Sequence, residues 1–413
     1  MMTLLIALLL QDPKPADEKK PQEGAPLEAV YKDGFRLKGG EFELVVGGHL
    51  YVQGRHLAGR PDDAARTSGD TLYLRQARLE LYGTLYRDFE FKVMYDSQTG
   101  SSASAFDAYG GWKPCKAFAL RVGQFKAPFG VEQTLSDAIT DFIERGEQDR
   151  LTPSRDLGAM AYGKLFGDRF GYEAGFFNGS GRNTLDSSEE KEAVLRLRFS
   201  PFAGDEGLLK HLRLGAAGTY GDVDNASIAG LDFATANLAL LWLDSTAGTI
   251  DGLRTRLGAE LAFAAGPFGL RAEWLTRRDR VDVGSFDDAA VRLSGWTVTV
   301  AFILTGEGKP LEGKFEPAAR FDLKAGAIGA VELVARASRL DVGDAIFNTG
   351  AASPLLNSGG VTAISGGVNW HLHKNAKIML NAVLERFDDD ISFANGDLED
   401  QFFGVIWRFH LDI

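Results

Sequence analysis

From Glu41 to the last residue the chain alternates apolar and polar positions with a period of two, and it contains no apolar run of the 18 or so residues that a spanning helix needs. The last segment is the clearest case. Phe403, Val405, Trp407, Phe409, Leu411 and Ile413 alternate with Gly404, Ile406, Arg408, His410 and Asp412. Successive side chains of a strand point to opposite faces, so one face is greasy and aromatic and the other mostly polar or small. The pattern recurs around Phe89–Tyr95, Phe118–Val122, Ala193–Phe199, Leu257–Phe263, Trp296–Leu304 and Ile378–Leu384. This excludes a helical membrane protein. It leaves open a barrel that crosses with strands and a soluble sandwich whose apolar faces form a core.

Strand spacing separates the two. Sixteen strands are expected, near 42–53, 72–85, 88–97, 104–113, 117–126, 158–166, 169–177, 191–199, 211–220, 254–265, 268–277, 291–305, 330–341, 361–372, 376–387 and 401–412. The count is even, as in single-chain bacterial barrels. Tight turns (86–88, 167–168, 266–267, 373–375) alternate with longer polar stretches (56–70, 178–190, 278–290, 388–399). Short turns on one rim and long loops on the other are expected of an outer-membrane barrel. Trp112, Trp274, Tyr220 and Phe403 lie on the apolar faces, as expected of interfacial aromatics. The expected fold is therefore all-β, a transmembrane antiparallel β-barrel of about 16 strands over residues 41–413. Leu231–Leu243 is apolar and reads either as an extra strand or as a packed loop.

Ahead of the barrel, residues 1–10 (MMTLLIALLL) read as the apolar core of a secretory signal, without a preceding Lys or Arg. Residues 11–40, rich at first in Pro, Lys and Glu, read as a solvated periplasmic tether with folding starting near Tyr31. A single cysteine, Cys115, excludes an intramolecular disulfide. A formal charge of −12 argues against general nucleic-acid binding, which needs a basic footprint. No Gly-rich phosphate loop or Gly-x-Ser-x-Gly elbow is present, and no enzymatic chemistry or cofactor is expected. His371 and His373, two apart near a turn, read as solvated histidines rather than metal ligands, so no metal is expected.

Several segments, in order, resemble the phosphate-selective porin O and P family of bacterial outer membranes. They are RLELYGTLYRDFEFKVMY (78–95), DAYGGWK (107–113), LRVGQFKAPFGVE (120–132), DLG (156–158), YEAGFFNG (172–179), LTGE (304–307), ELVARASRLD (332–341) and VNWHLHKNAKIMLNAVL (368–384). The resemblance implies a sixteen-stranded, usually trimeric barrel in outer-membrane lipid that passes small inorganic anions by diffusion. Its members are named for phosphate or polyphosphate. Such barrels tend to end in Phe, whereas this chain ends in Ile413, with Trp407 and Phe409 keeping the aromatic pattern.

A sixteen-stranded barrel leaves a wide channel unless something narrows it. In the resembling family an external loop after the fifth strand folds inward, which here is Ala127–Arg155. Its acids, Glu132, Asp137, Asp141, Glu144, Glu147 and Asp149, outnumber the bases Lys126, Arg145, Arg150 and Arg155 at its edges and within. A phosphate filter should show the reverse. The wall is different: Arg78, Arg121, Arg196, Arg198, Arg213, Arg256, Arg271, Arg336 and Arg408 fall on the non-lipid face. Guanidinium groups suit phosphate oxygens, and a stair of them would guide anions. Alternatively they pair across strands with Glu80, Glu90, Glu173, Glu260, Glu273 and Glu332. Arg196, Arg198 and Arg213 flank one turn and should cluster in the periplasmic half, whereas residues 307–324 carry balanced charge and give no sign. The functional expectation is a passive porin for small hydrophilic solutes and ions, phosphate included. The alternatives are a cation-tolerant general porin and a structural envelope barrel plugged by its loops.

Overall fold

A computed structural model describes residues 26–32, 34–59, 70–185, 189–245, 248–393 and 396–413. The proposed signal segment and most of the tether lie outside them. Two short strands, β1 (Glu28–Tyr31) and β2 (Phe35–Gly39), form a hairpin inside the stretch read as tether. The wall begins with β3 (Phe42–Ala58), β4 (Thr71–Leu85), β5 (Phe89–Gln98), β6 (Ser101–Cys115), β7 (Phe118–Lys126), β8 (Arg155–Leu165), β9 (Phe170–Phe177), β10 (Glu192–Phe199) and β11 (Arg213–Ser227). A loop carrying the small hairpin β12 (Phe233–Ala234) and β13 (Leu241–Leu243) follows. The wall resumes with β14 (Thr249–Ala265), β15 (Phe268–Val283), β16 (Phe286–Ile303), β17 (Ala330–Val342), β18 (Gly360–His373), β19 (Ala376–Ser392) and β20 (Leu398–Asp412).

These sixteen wall strands pair antiparallel with their neighbours, and β20 closes the ring on β3, from Phe403 opposite Ala58 to Asp412 opposite His49. Closure leaves the barrel no unpaired edge, which a sheet in lipid requires. Below the point where β20 ends, β2 takes its place beside β3 through Phe35–Gly39. Alternate residues face outward as expected, and Trp112, Trp274, Tyr220 and Phe403 are all exposed on the outer wall.

The loop rhythm is less regular than the sequence implied. The polar stretches 278–290 and 388–399 are largely strand: β15 and β16 run on to a tight turn at 284–285, and β19 reaches Ser392. Strands of 16–18 residues outrun the roughly 9–11 needed to cross the bilayer. Their projecting ends carry polar residues such as Arg278, Arg280 and Asp282 on the outer face while Val281 and Val283 stay buried on the inner one, so they lose the apolar outer face that marks the membrane-buried part. The opposite deviation is on the short-turn rim, where 304–329 between β16 and β17 is long and folds into the barrel.

The lumen holds a core. Trp242 is fully buried there with Leu231, Phe233, Leu238, Leu240 and Leu243, against inward-facing Val291, Leu293, Leu340, Val383, Phe387 and Ile406. Leu231–Leu243 is thus a packed loop with a two-strand hairpin of its own, not a wall strand. The lumen face on this side is apolar rather than polar because it seats that loop.

Candidate constriction and anion path

The constriction loop leaves β7 at Lys126 and crosses to the opposite wall. At Gly130 (φ 80) the chain turns so tightly that a Cβ would meet Thr152 Cγ2 at 2.8 Å. The turn aims the Val131 and Glu132 amides at the Glu273 carboxylate on β15, which accepts from both at 2.8 and 3.2 Å. Further on, Asn381 accepts from the Ile143 amide at 2.9 Å, and Asn369 and Lys377 donate to the carbonyls of Asp141 and Thr140. Arg336 donates to the Glu144 carbonyl at 2.7 Å and Arg256 to the Leu151 carbonyl at 3.1 Å. Backbone groups that water would satisfy elsewhere are bound by the wall, which fixes the loop in place.

The loop acids divide by task. Asp141 pairs with Arg271 and with Lys309, the latter at 2.5 Å. Glu132 accepts from the Gly146 amide and Gln148, with Arg336 at 3.9 Å. Glu147 accepts from the Ala236 amide at 2.9 Å and from Asn237 at 3.2 Å, tying the two inward loops together. None of these three borders the two main chambers. Glu144, held by Arg75 (3.2 Å), Arg408 (3.3 Å) and Gln53 (2.9 Å), does, as do Asp137 and Asp149. Burial would raise Asp137, but Arg145, Lys126 and Arg78 outweigh it and hold the carboxyl well below the usual range. Asp149 goes the other way, because burial there outweighs Arg145.

Two chambers lie on either side of the loop. The outer one, about 490 Å³, is lined by Arg55, Arg75, Arg145 and Arg150 against two carboxylates, Glu144 and Asp149. The inner one, about 250 Å³, has Arg78, Lys92, Arg121, Lys126 and Arg155 against Glu80, Asp107, Asp137 and Glu173. Both follow β3–β8. A third cavity of about 160 Å³ on the short-turn side gathers Arg196, Arg198, Arg213 and Arg271 with Glu173, Glu260 and Glu312.

The structure brings Arg196, Arg198 and Arg213 together around the β10–β11 turn, with Glu173 3.7 Å from both Arg196 and Arg198, and Arg213 on Glu312. It does not leave the wall arginines as a free stair. Arg78 pairs with Asp96 (2.8 Å) and Asp137, Arg121 with Glu90 (2.7 Å), Arg196 with Glu260 (2.7 Å) and Arg256 with Glu192. Arg271 and Arg336 are taken up by the constriction loop, and Arg408 by Gln53 and Glu144. Arg155 pairs with Asp107 at 2.7 Å, and Arg150 donates to the Thr235 carbonyl at 3.3 Å. Lys126 donates to the Leu135 carbonyl at 2.6 Å and makes no ion pair among the described residues.

Lining or plugging residues outside the set that the sequence singles out include Arg55, Arg75, Lys92 and Lys309. Arg75 has the parity of outward Leu79 and Leu81, but a register shift in the β3–β4 ladder between Tyr51 and Val52 turns it inward. Arg55 keeps inward parity but lies past residue 53, the expected end of β3, which extends to Ala58. Lys309 belongs to the segment with balanced charge. There it bridges Asp141 and Glu332, while Lys314 reaches Asp412 at 2.9 Å. His371 is bound to Glu332 at 3.0 Å and His373 accepts from the Asn375 amide, so the two do not converge.

The phosphate-selective porin O and P family matches residues 57–405. Porin O of Pseudomonas aeruginosa is 26% identical over 389 residues, covering 86% of each chain. Among solved structures, the outer membrane channel DcaP of Acinetobacter baumannii matches with TM-score 0.57 at 11% identity, covering 92% of this chain and 99% of its own. An anion-selective porin from Comamonas acidovorans matches with TM-score 0.54 at 13% identity, covering 90% of this chain and 100% of its own. OmpT of Vibrio cholerae, in a trimer form, matches with TM-score 0.52 at 12% identity, covering 89% and 98%. The chain belongs to the phosphate-selective porin O and P family and is a porin of the bacterial outer membrane, a channel rather than an enzyme.

Proposed function

We propose that this porin passes small inorganic anions, phosphate and polyphosphate among them, along the β3–β8 side of the lumen, and that it works as a homotrimer in outer-membrane lipid. The observation that carries the reading is the lining charge. Each of the three cavities is lined by more Lys and Arg side chains than carboxylates, although the whole chain has a formal charge of −12. A narrow, low-dielectric passage responds to the charges that face it, and those on the outside are screened within about 10 Å at ordinary salt. Half of the constriction loop's acids, Glu132, Asp141 and Glu147, are spent on anchoring, while Arg145 and Arg150 face the path. That supports an anion path in spite of the loop's acidic composition. The trimer form of the Vibrio cholerae OmpT structure supports the assembly.

The test is the reversal potential of the purified protein in a planar bilayer under a KCl gradient. An anion-selective sign is expected, with phosphate reducing the chloride current. A cation-selective sign would remove phosphate as the solute and leave a cation-tolerant general porin.

A further inference from the structure

Asp137 borders the inner chamber and is paired with Arg145, which borders the outer one. Its Oδ1 accepts from Arg145 at 2.9 Å, and its Oδ2 accepts from Arg78 and from Gln76, both at 3.0 Å. Arg145 borders the outer chamber, whereas Arg78 and Lys126 border the inner one. Lys126 borders the same chamber as Asp137, yet its amine nitrogen is hydrogen-bonded only to a backbone carbonyl among the described residues. A carboxylate held by two guanidinium groups and an amide, with a lysine in the same chamber, occupies a cradle that a tetrahedral oxyanion would also fill.

We propose that Asp137 is a specificity-determining residue: a tethered carboxylate that occupies the oxyanion cradle at the constriction and keeps a passing anion from binding there tightly. The inference rests on the anion reading above. A channel must bind its ion well enough to admit it and weakly enough to release it. Without Asp137, Arg78, Arg145 and Lys126 would converge with only Asp96 and Asp149 as partners of the two arginines. Phosphate would then be trapped rather than passed. With Asp137 present, the anion exchanges with a side chain that no backbone amide holds among the described residues. Asp137 opens a single three-residue turn (Asp137–Ile139) whose cap comes from Ser136 instead. The carboxylate can therefore swing aside while the loop stays anchored through Glu273, Asn369 and Asn381.

The experiment measures the phosphate concentration that halves the chloride current through single channels. It compares the wild type with Asp137→Asn, Asp137→Ser and Asp137→Glu, each checked first for assembly. The Asn and Ser variants are expected to be half-blocked at a concentration at least tenfold lower, and the Glu variant within about twofold of the wild type. Two neutral variants are used so that a folding failure of one leaves the other to decide. Equal half-blocking in an anion-selective wild type and either assembled neutral variant overturns this inference and leaves the anion reading standing. Larger unit conductance without tighter block also overturns it, because Asp137 is then only a clasp for the loop. A cation-selective wild type overturns both.

Discussion

The two sides of the lumen use the same residue type for different ends. Along β3–β8, Arg55, Arg75, Arg145 and Arg150 face an open chamber, and below the loop Arg78, Lys92, Arg121, Lys126 and Arg155 face another. Along β14–β20, the inward face is covered. The loop with Trp242 packs on Val383 and Ile406, Arg336 and Arg408 are tied to the constriction loop, and Lys309 enters from the short-turn rim to meet Glu332. An inward arginine on a barrel strand is therefore a pore residue or a strut according to what reaches it from the rims. Parity along the strand does not distinguish the two.

The largest effect that tests this division is on stability. Arg256 is buried between Glu192, Thr219 and the Leu151 carbonyl. Removing one partner of a buried ion pair costs about 3–5 kcal/mol. Arg256→Ala should lower the heat-unfolding midpoint of the folded barrel by several degrees and leave the reversal potential unchanged. A shift in selectivity at unchanged stability would move the path to the other wall. Arg150→Glu should do the converse, since Arg150 is exposed in the outer chamber and bonded to one carbonyl. The reversal potential should move clearly toward cations with little change in thermal stability. Arg196→Ala with Arg198→Ala should give a smaller loss of anion preference, because Glu173, Glu260 and Glu312 already offset much of their charge. If the potential does not move at all, these arginines are struts like Arg256.

Period two made the wall legible because a lipid-facing strand has no other way to sort its side chains. All sixteen expected strands correspond to wall strands, and the boundaries err mainly at the long-loop ends of β3, β11, β14, β15, β16 and β19, which run five to seven residues further than expected. The apolar exceptions on the inward face, such as Ile303, Val383 and Ile406, were visible in the alternation and carried a meaning that the pattern alone could not supply. Val383 and Ile406 seat the Trp242 loop. Arg75 was illegible because one register shift inverts parity locally. The partition of loop acids into anchors and lining depends on contacts between segments far apart in sequence, such as Glu144 with Arg408 and Glu147 with Asn237. No local pattern encodes those.

The smallest expected effect concerns how long the open side stays organised as pH falls. Burial by itself would raise the Glu144 carboxyl, but Arg75 and Arg408 outweigh it and hold it at about 2, below its ordinary 4.5. A depressed carboxyl contributes stability that is complete above its ordinary value and lost as pH falls toward the depressed one. The Glu144 anchor should therefore be intact at pH 5 and fade only between about 4.5 and 2. Unit conductance and current noise of the wild type should stay constant from pH 7 to pH 5 and change below pH 4. Glu144→Gln removes the charged anchor at every pH, so its noise should be raised already at pH 7 and respond less to acid. If the variant is as quiet as the wild type at pH 7, the backbone contacts to Glu273, Asn381 and Arg336 hold the loop without Glu144, and its carboxylate serves only the charge balance of the outer chamber.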